Sequence, residues 1–264
     1  MPTIKSDDAE IYYEVEGDGP PVVLLHPFPA SHELWNSAAQ ALTSRYRVIL
    51  PDLRGHGASE SGDGPATMEK HAADLARILD DADIGRAAFV GVSIGGYILF
   101  EFWRRNRGRV ASLAFIDTKA QPDTDQARAN RLQAAEDVLE KGVEPFVDSM
   151  LPKLFGETTQ RTRPDLMNSA RTLMMKMSPQ DINLVQRGMA ERPDSVPTLK
   201  TINVPALVVV GDEDTLSTPA DAELMCQSIA NAQLKRIPRA GHYAVWEQPE
   251  DVGKVLRQFL DAAR

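Results

Sequence analysis

Cysteine is nearly missing from this chain: Cys226 stands alone, so no intrachain disulfide forms and nothing calls for an oxidising compartment. Long apolar runs are missing too, and no window approaches the roughly 18 consecutive apolar residues of a membrane span. There is no excess of cations. With 29 Lys and Arg against 38 Asp and Glu, the formal net charge is −9. No Lys/Arg run interrupts it, which argues against nucleic-acid binding and mildly against anionic lipid. The opening MPTIKSDDAE carries acids where a secretory signal needs a basic and then an apolar stretch, so a cytoplasmic protein is expected. Only five histidines are present, with no H-E-x-x-H and no paired cysteines, so no metal is expected. Without a G-x-G-x-x-G fingerprint no dinucleotide is expected either, and the reading is of a cofactor-free protein.

What is there is ordinary globular composition: 264 residues, 42% hydrophobic and 25% charged. That fits one sizeable domain, or one domain carrying a large insertion. Apolar runs alternate with helical patterns. Strands are expected over 11–15, 22–25, 48–50, 87–92 and 110–116, the run VVLL at 22–25 being apolar throughout, as a strand buried on both faces should be. From Met68 the apolar residues Met68, Ala72, Leu75, Leu79 and Ala82 recur at helical spacing, with Thr67 as N-cap and Gly85 past the end. A second helix opens abruptly at Ile94. The alternation stops at 118–200, a polar-rich helical stretch broken at Pro145, Pro152, Pro164, Pro179 and Pro193. It resumes with a strand over 206–210, a helix over 220–229, a short strand over 234–237 and a last helix over 249–262. Alternation of this kind gives a mostly parallel sheet with helices on both faces. A core of 1–117 and 201–264 carrying a helical cap, or lid, at 118–200 is the organisation expected.

Gly91-Val92-Ser93-Ile94-Gly95 matches G-x-S-x-G where a strand ends and a helix begins, so Ser93 occupies a sharp turn. Small residues at Gly91 and Gly95 suit so tight a bend. A serine hydroxyl is a poor nucleophile alone; a base and the acid that orients it should follow in the order Ser, Asp or Glu, His. His242 is the only histidine after Ser93. For the acid, the stretch GDEDTLSTP offers Asp212, Glu213 and Asp214, and Asp117 at an earlier strand end is a fourth candidate. An acyl intermediate also needs two amide donors for its oxyanion. One is the amide of Ile94. The other must come from the loop His26-Pro27-Phe28-Pro29, where the prolines have no N–H and Phe28 remains.

The segments LLHPFPAS, PDLRGHGAS, GVSIGG, GDEDTLSTP and AGHYAVWEQPE, in this order over essentially the whole chain, resemble the α/β-hydrolase superfamily. The resemblance implies an α/β fold, a mostly parallel central sheet flanked by helices, with the helical cap inserted after the sixth strand. In that family the acid stands at the fourth position of G-x-x-D-x-x-x-P, which carries over to Asp214, with Gly211 matching and Pro219 one residue beyond the position of the motif's proline. Pro27 replaces the glycine of the usual His-Gly-aromatic oxyanion loop, and the donor still falls on Phe28. A serine nucleophile argues against the branches that use aspartate there. Small bacterial carboxylesterases and 3-oxoadipate enol-lactonase-like hydrolases are the nearest likeness. The resemblance implies a serine carboxylic ester hydrolase acting through an acyl-enzyme, and the methionines of 118–200 lead to the expectation of small to medium, largely apolar esters. The alternatives are a lactonase, a carbon–carbon bond hydrolase, a cofactor-free perhydrolase, or a ligand receptor on the same scaffold.

Six of the nine methionines lie within 118–200. Met174 and Met177 are expected to line the pocket together with Tyr97, Val245 and His26, although His26 and His56 suit bracing their loops better, and the methionines suit cap core equally well. His32 and His71 lie on helical patterns and are expected at the surface. A lactone bearing a carboxylate would want a cation in the pocket, with Lys119 or Arg128 as sources. The partner expected is a small-molecule ester or lactone, with the chain a monomer or homodimer.

Overall fold

The computed structural model describes residues 3–263. Eight strands form one sheet: β1 (Thr3–Ser6), β2 (Ala9–Glu16), β3 (Pro21–Leu25), β4 (Arg47–Pro51), β5 (Ala87–Val92), β6 (Val110–Ile116), β7 (Ala206–Gly211) and β8 (Ala232–Ile237). Their order is β1-β2-β4-β3-β5-β6-β7-β8. β1 and β2 pair antiparallel, as do β2 and β4, and every other pairing is parallel. The all-apolar composition of β3 and β5 is what a central parallel strand requires, because helices cover both faces. Val22 to Leu25 are almost wholly inaccessible, and all of β5 is buried. β1 is absent from the apolar pattern because TIKS alternates exposed and buried residues at an edge. The tight turn that joins β1 to β2 places Asp7 at φ 52°.

The flanking helices are α1 (Asn36–Thr43), α2 (Met68–Asp81) and α3 (Ile94–Asn106). Between β6 and β7 come α4 (Asp125–Lys141), α5 (Val143–Leu154), α6 (Glu157–Thr162), α7 (Pro164–Met174), α8 (Pro179–Ala190) and α9 (Val196–Leu199). After β7 follow α10 (Pro219–Ser228), α11 (Ala244–Glu247) and α12 (Pro249–Ala262). Thr67 caps α2 by accepting from the Lys70 amide, and the helix buries Met68, Ala72, Leu75, Ile78 and Leu79. α2 packs on α3, and α1 on α12. Within the insertion α4 lies along α8, while α7 packs against α5 and α6. The stretch is thus a run of short helices, with Pro164 and Pro179 in first turns where a missing N–H costs nothing, but the expected breaks at Pro145 and Pro152 are absent: α5 takes Pro145 in its first turn and continues through Pro152. Among the described residues no helix is long and apolar enough to cross a membrane.

Arg54, 1% exposed, fastens the loop after β4 to two other elements. Its Nε and Nη2 donate to both oxygens of Asp74 on α2, at 3.0 and 2.7 Å, and Nη1 donates to Asp8 in the β1–β2 turn. Removing one partner of a buried pair strands the other charge. Arg54→Ala should therefore destabilise the fold by about 3–5 kcal/mol. Denaturant unfolding checks this, and a loss below about 1 kcal/mol, the ceiling of an exposed pair, would contradict it.

Candidate active site

Ligands of open α/β sheets bind beyond the carboxyl ends of the strands, and here the loops leaving β3, β5, β6, β7 and β8 converge at that edge. They carry Phe28, Ser93, Asp117, Asp214 and His242 respectively. Ser93 bridges β5 and α3 at φ 52°, ψ −113°, a left-handed conformation that costs free energy in an L-residue. Its amide donates to Ile116 O at 3.0 Å and its carbonyl accepts from Thr118 Oγ1 at 2.7 Å, so the neighbouring strand holds the strained turn. A methyl group on Gly91 would stand 2.5 Å from the carbonyl carbon of Gly95, which is why the bend needs glycine on both sides of the serine.

Ser93 Oγ lies 2.8 Å from His242 Nε2, and His242 Nδ1 lies 2.9 Å from Asp214 Oδ2. A carboxylate only accepts, so Nδ1 carries the proton and Nε2 is free to accept from the serine hydroxyl. The other oxygen of Asp214 accepts from the Leu216 and Ser217 amides at 2.8 and 3.1 Å. All three side chains are buried, Ser93 the least at 9% exposed. The other acid candidates lie elsewhere. Asp212 is exposed and pairs with Arg236 at 2.6 Å. Glu213 accepts from Thr158 in the insertion. Asp117 is fully buried, its two oxygens accepting from the Gly211 and Ala244 amides at 2.8 and 3.2 Å. Burial pushes its carboxyl well above the usual range, and the nearby charge of Asp214 adds to that.

Phe28 and Ser93 border a common cavity of about 280 Å³. Ile94 is the first residue of α3, where a helix leaves its amides without partners of its own. Of the expected pocket residues, Tyr97 lines the cavity. Met174, Met177, Val245 and His26 do not. Met174, at the end of α7, is buried where that helix packs on α5 and α6, and Met177 is buried in the turn that follows; Met150 and Met189 face the cavity instead. Val245 is sealed within α11. His26, wholly buried, donates from Nδ1 to Pro27 O and accepts the Leu53 amide at Nε2, both at 2.9 Å, so it braces the loop from behind. Contrary to the surface expectation, His71 is buried, and His32 is half-buried against Asp52 at 2.8 Å. Arg128 is exposed; Arg131, one turn further along α4, lines the cavity with Lys119 and Lys153.

A model of the α/β-hydrolase fold matches residues 20–249. The chain belongs to the α/β-hydrolase family. This α/β hydrolase is similar to a thermophilic esterase from Thermogutta terrifontis whose structure has malate bound. The two share 37% identity and a TM-score of 0.96 over 100% of this chain and 99% of that one. An enol-lactonase from Burkholderia xenovorans LB400 shares 26% identity and a TM-score of 0.92, over 98% and 100% of the two chains. In sequence the hydrolase is 27% identical to 3-oxoadipate enol-lactonase 2 of Acinetobacter baylyi, over 97% of each. The enzyme is thus a hydrolase resembling esterases and enol-lactonases.

Behind the Phe28 loop, His26 and His56 lie with ring centroids 5.0 Å apart, and His56 meets the Phe28 ring edge-on at 5.7 Å. Burial lowers His26 to about 4 and His56 to about 3, from an ordinary 6.5. Both are neutral in the fold, while the unfolded chain takes up their protons near pH 6.5, so the unfolded state binds more protons below that pH. Their stabilising effect is complete above pH 6.5 and is lost as the pH falls toward 4. The melting temperature should drop across that window, and less steeply in His56→Phe; an equal slope in the variant would contradict the assignment.

Proposed function

We propose that this hydrolase cleaves carboxylic esters through a covalent acyl-enzyme on Ser93. The observation that carries the reading is the continuous hydrogen-bond line from Ser93 Oγ through His242 to Asp214, at 2.8 and 2.9 Å. Ser93 Oγ attacks the ester carbonyl as His242 Nε2 takes its proton, and the amides of Phe28 and Ile94 hold the developing oxyanion. His242 then returns the proton to the departing alkoxide, which leaves as the alcohol. Water attacks the acyl group with His242 again as base, the carboxylic acid departs, and the serine regains its hydrogen. Asp214 fixes the imidazole tautomer and balances the imidazolium charge. The 118–200 insertion roofs Ser93 and selects what enters, since the cavity is bordered by α4, α5 and α8 as well as by Ser93 and His242.

The lining favours a polar acyl group over the largely apolar one expected from the sequence. Asn130, Arg131, Ser149, Lys153 and Gln186 border the cavity, as does Lys119. Arg131 pairs with Asp123 at 2.8 Å, a carboxylate it shares with Arg192, whereas Lys119 Nζ bonds only the Leu216 carbonyl, at 3.1 Å, and has no ion-pair partner among the described residues. An unmatched cation in a pocket of so acidic a protein suits an ester or lactone carrying a carboxylate. The malate bound by the Thermogutta terrifontis esterase and the lactonase relatives support the same reading.

Hydrolysis of p-nitrophenyl esters should disappear in Ser93→Ala with little change in melting temperature, because the strained turn tolerates the smaller side chain. Asp214→Asn should lower turnover by about 10⁴ through the wrong tautomer of His242, and Asp117→Asn by far less. Activity retained in Ser93→Ala, or a larger loss from Asp117→Asn, would overturn the assignment. Lys119→Met should cut kcat/KM for an aryl half-ester of succinic acid by about tenfold, the ~1.4 kcal/mol of one charge-assisted hydrogen bond. The neutral butyrate ester should be spared; equal losses on both would refute the anionic preference.

A further inference from the structure

The His242 loop is joined to the helical insertion by backbone contacts and by one buried side chain that bridges the two. Glu247, at the end of α11, is 1% exposed. Its Oε1 accepts from the Gly241 amide at 2.7 Å, one residue before His242, and its Oε2 accepts from the Gly156 amide at 2.9 Å, between α5 and α6. The two glycines touch backbone to backbone, and a Cβ on either would run into the peptide of the other. One residue beyond the histidine, the Tyr243 amide donates to Leu154 O at 3.0 Å. The acid loop is fastened to the same place, since Glu213 accepts the Thr158 amide at 2.8 Å and the Thr158 hydroxyl as well. Leu154 is also a wall of the cavity. Segment 154–158 therefore touches the loops on both sides of the His242–Asp214 pair and borders the space above Ser93.

We infer that Glu247 is a positioning residue: by bridging Gly241 and Gly156 it sets the His242 imidazole against Ser93 and makes that geometry depend on the seating of the insertion. This rests on the acyl-enzyme reading above. A buried carboxylate is a costly choice, and burial raises the Glu247 carboxyl above its ordinary range. Glutamate is nonetheless suited to the bridge, because each of its two oxygens accepts one backbone N–H and neither donates when ionised. Glutamine fills the same volume but brings one oxygen and one NH₂ group, so one of the two amides would face another donor and its tether would be lost. A catalytic base displaced by about 1 Å loses on the order of a hundredfold in rate without losing substrate affinity.

Glu247→Gln and Gly156→Ala should be compared with the unmodified protein in two assays: steady-state hydrolysis of p-nitrophenyl acetate, and the rate constant for covalent labelling by a fluorophosphonate. Both variants should lose at least about tenfold in kcat and in labelling rate, with KM changed by less than about threefold. Gly156→Ala, whose Cβ would collide with Glu213 Oε2 and stand 2.8 Å from the Gly241 amide nitrogen, presses on both tethers while leaving the Glu247 carboxylate present, and carries the test should Glu247→Gln fail to fold. A folded variant with a lowered melting temperature but unchanged kcat and labelling rate would overturn the inference, as would a loss confined to KM. Failure of the unmodified protein to be labelled at all would remove the acyl-enzyme reading and this inference with it. Normal labelling with insensitive variants would remove the inference alone.

Discussion

An imidazole held between a hydroxyl and a carboxylate is the contact on which the rest of this molecule depends. Ser93, Asp214 and His242 lie far apart in sequence, and each sits just beyond a different strand. Their 2.8 and 2.9 Å contacts exist because parallel pairing of β5, β6, β7 and β8 brings those strand ends to one edge. Asp117, lying between them, ties the end of β7 to the loop after His242 through two backbone amides. A sheet built of apolar runs thus supplies the rigidity, and a few buried carboxylates convert it into a fixed site.

Carboxylates are unusually dense around the imidazole. Asp117, Glu213, Asp214 and Glu247 all accept backbone amides near His242. Such groups are expensive to bury, and burial raises both Asp117 and Glu247 above their ordinary range. Their arrangement divides the work: one carboxylate meets the imidazole, and the others hold the loops that present it. Under the proposed chemistry this division also explains why the insertion packs so closely on the histidine loop, since the wall of the substrate cavity and the seat of the base share segment 154–158.

Much of this was legible in residue order. The elbow GVSIG between an apolar run and a helix marks Ser93, because few sequences tolerate glycine on both sides of a serine at that junction. Chain order and the absence of a competing histidine mark His242. The acid was ambiguous among neighbouring carboxylates, and only the direction of each side chain separates Asp214 from Asp212 and Glu213. The pocket is less legible. Met174 and Met150 look alike in an amphipathic pattern, and which of them meets the cavity depends on how the helices α4 to α9 stack, not on their periodicity. Arg131 and Arg128 differ by one turn, too little for strand-end reasoning to separate. His71 falls on the buried side of α2, a rotation that a capped helical pattern does not reveal for a polar residue. Glu247 gave no signal, because its partners are backbone amides.

The central claim is a covalent acyl-enzyme on Ser93, and intact-mass spectrometry of the protein acid-quenched during turnover of a p-nitrophenyl ester tests it most directly. The account predicts a transient mass increase equal to one acyl group minus the hydrogen it displaces, mapped by peptide fragmentation to Ser93 and absent in Ser93→Ala. Turnover with the acyl group found on another residue, or an identical adduct in Ser93→Ala, would contradict it.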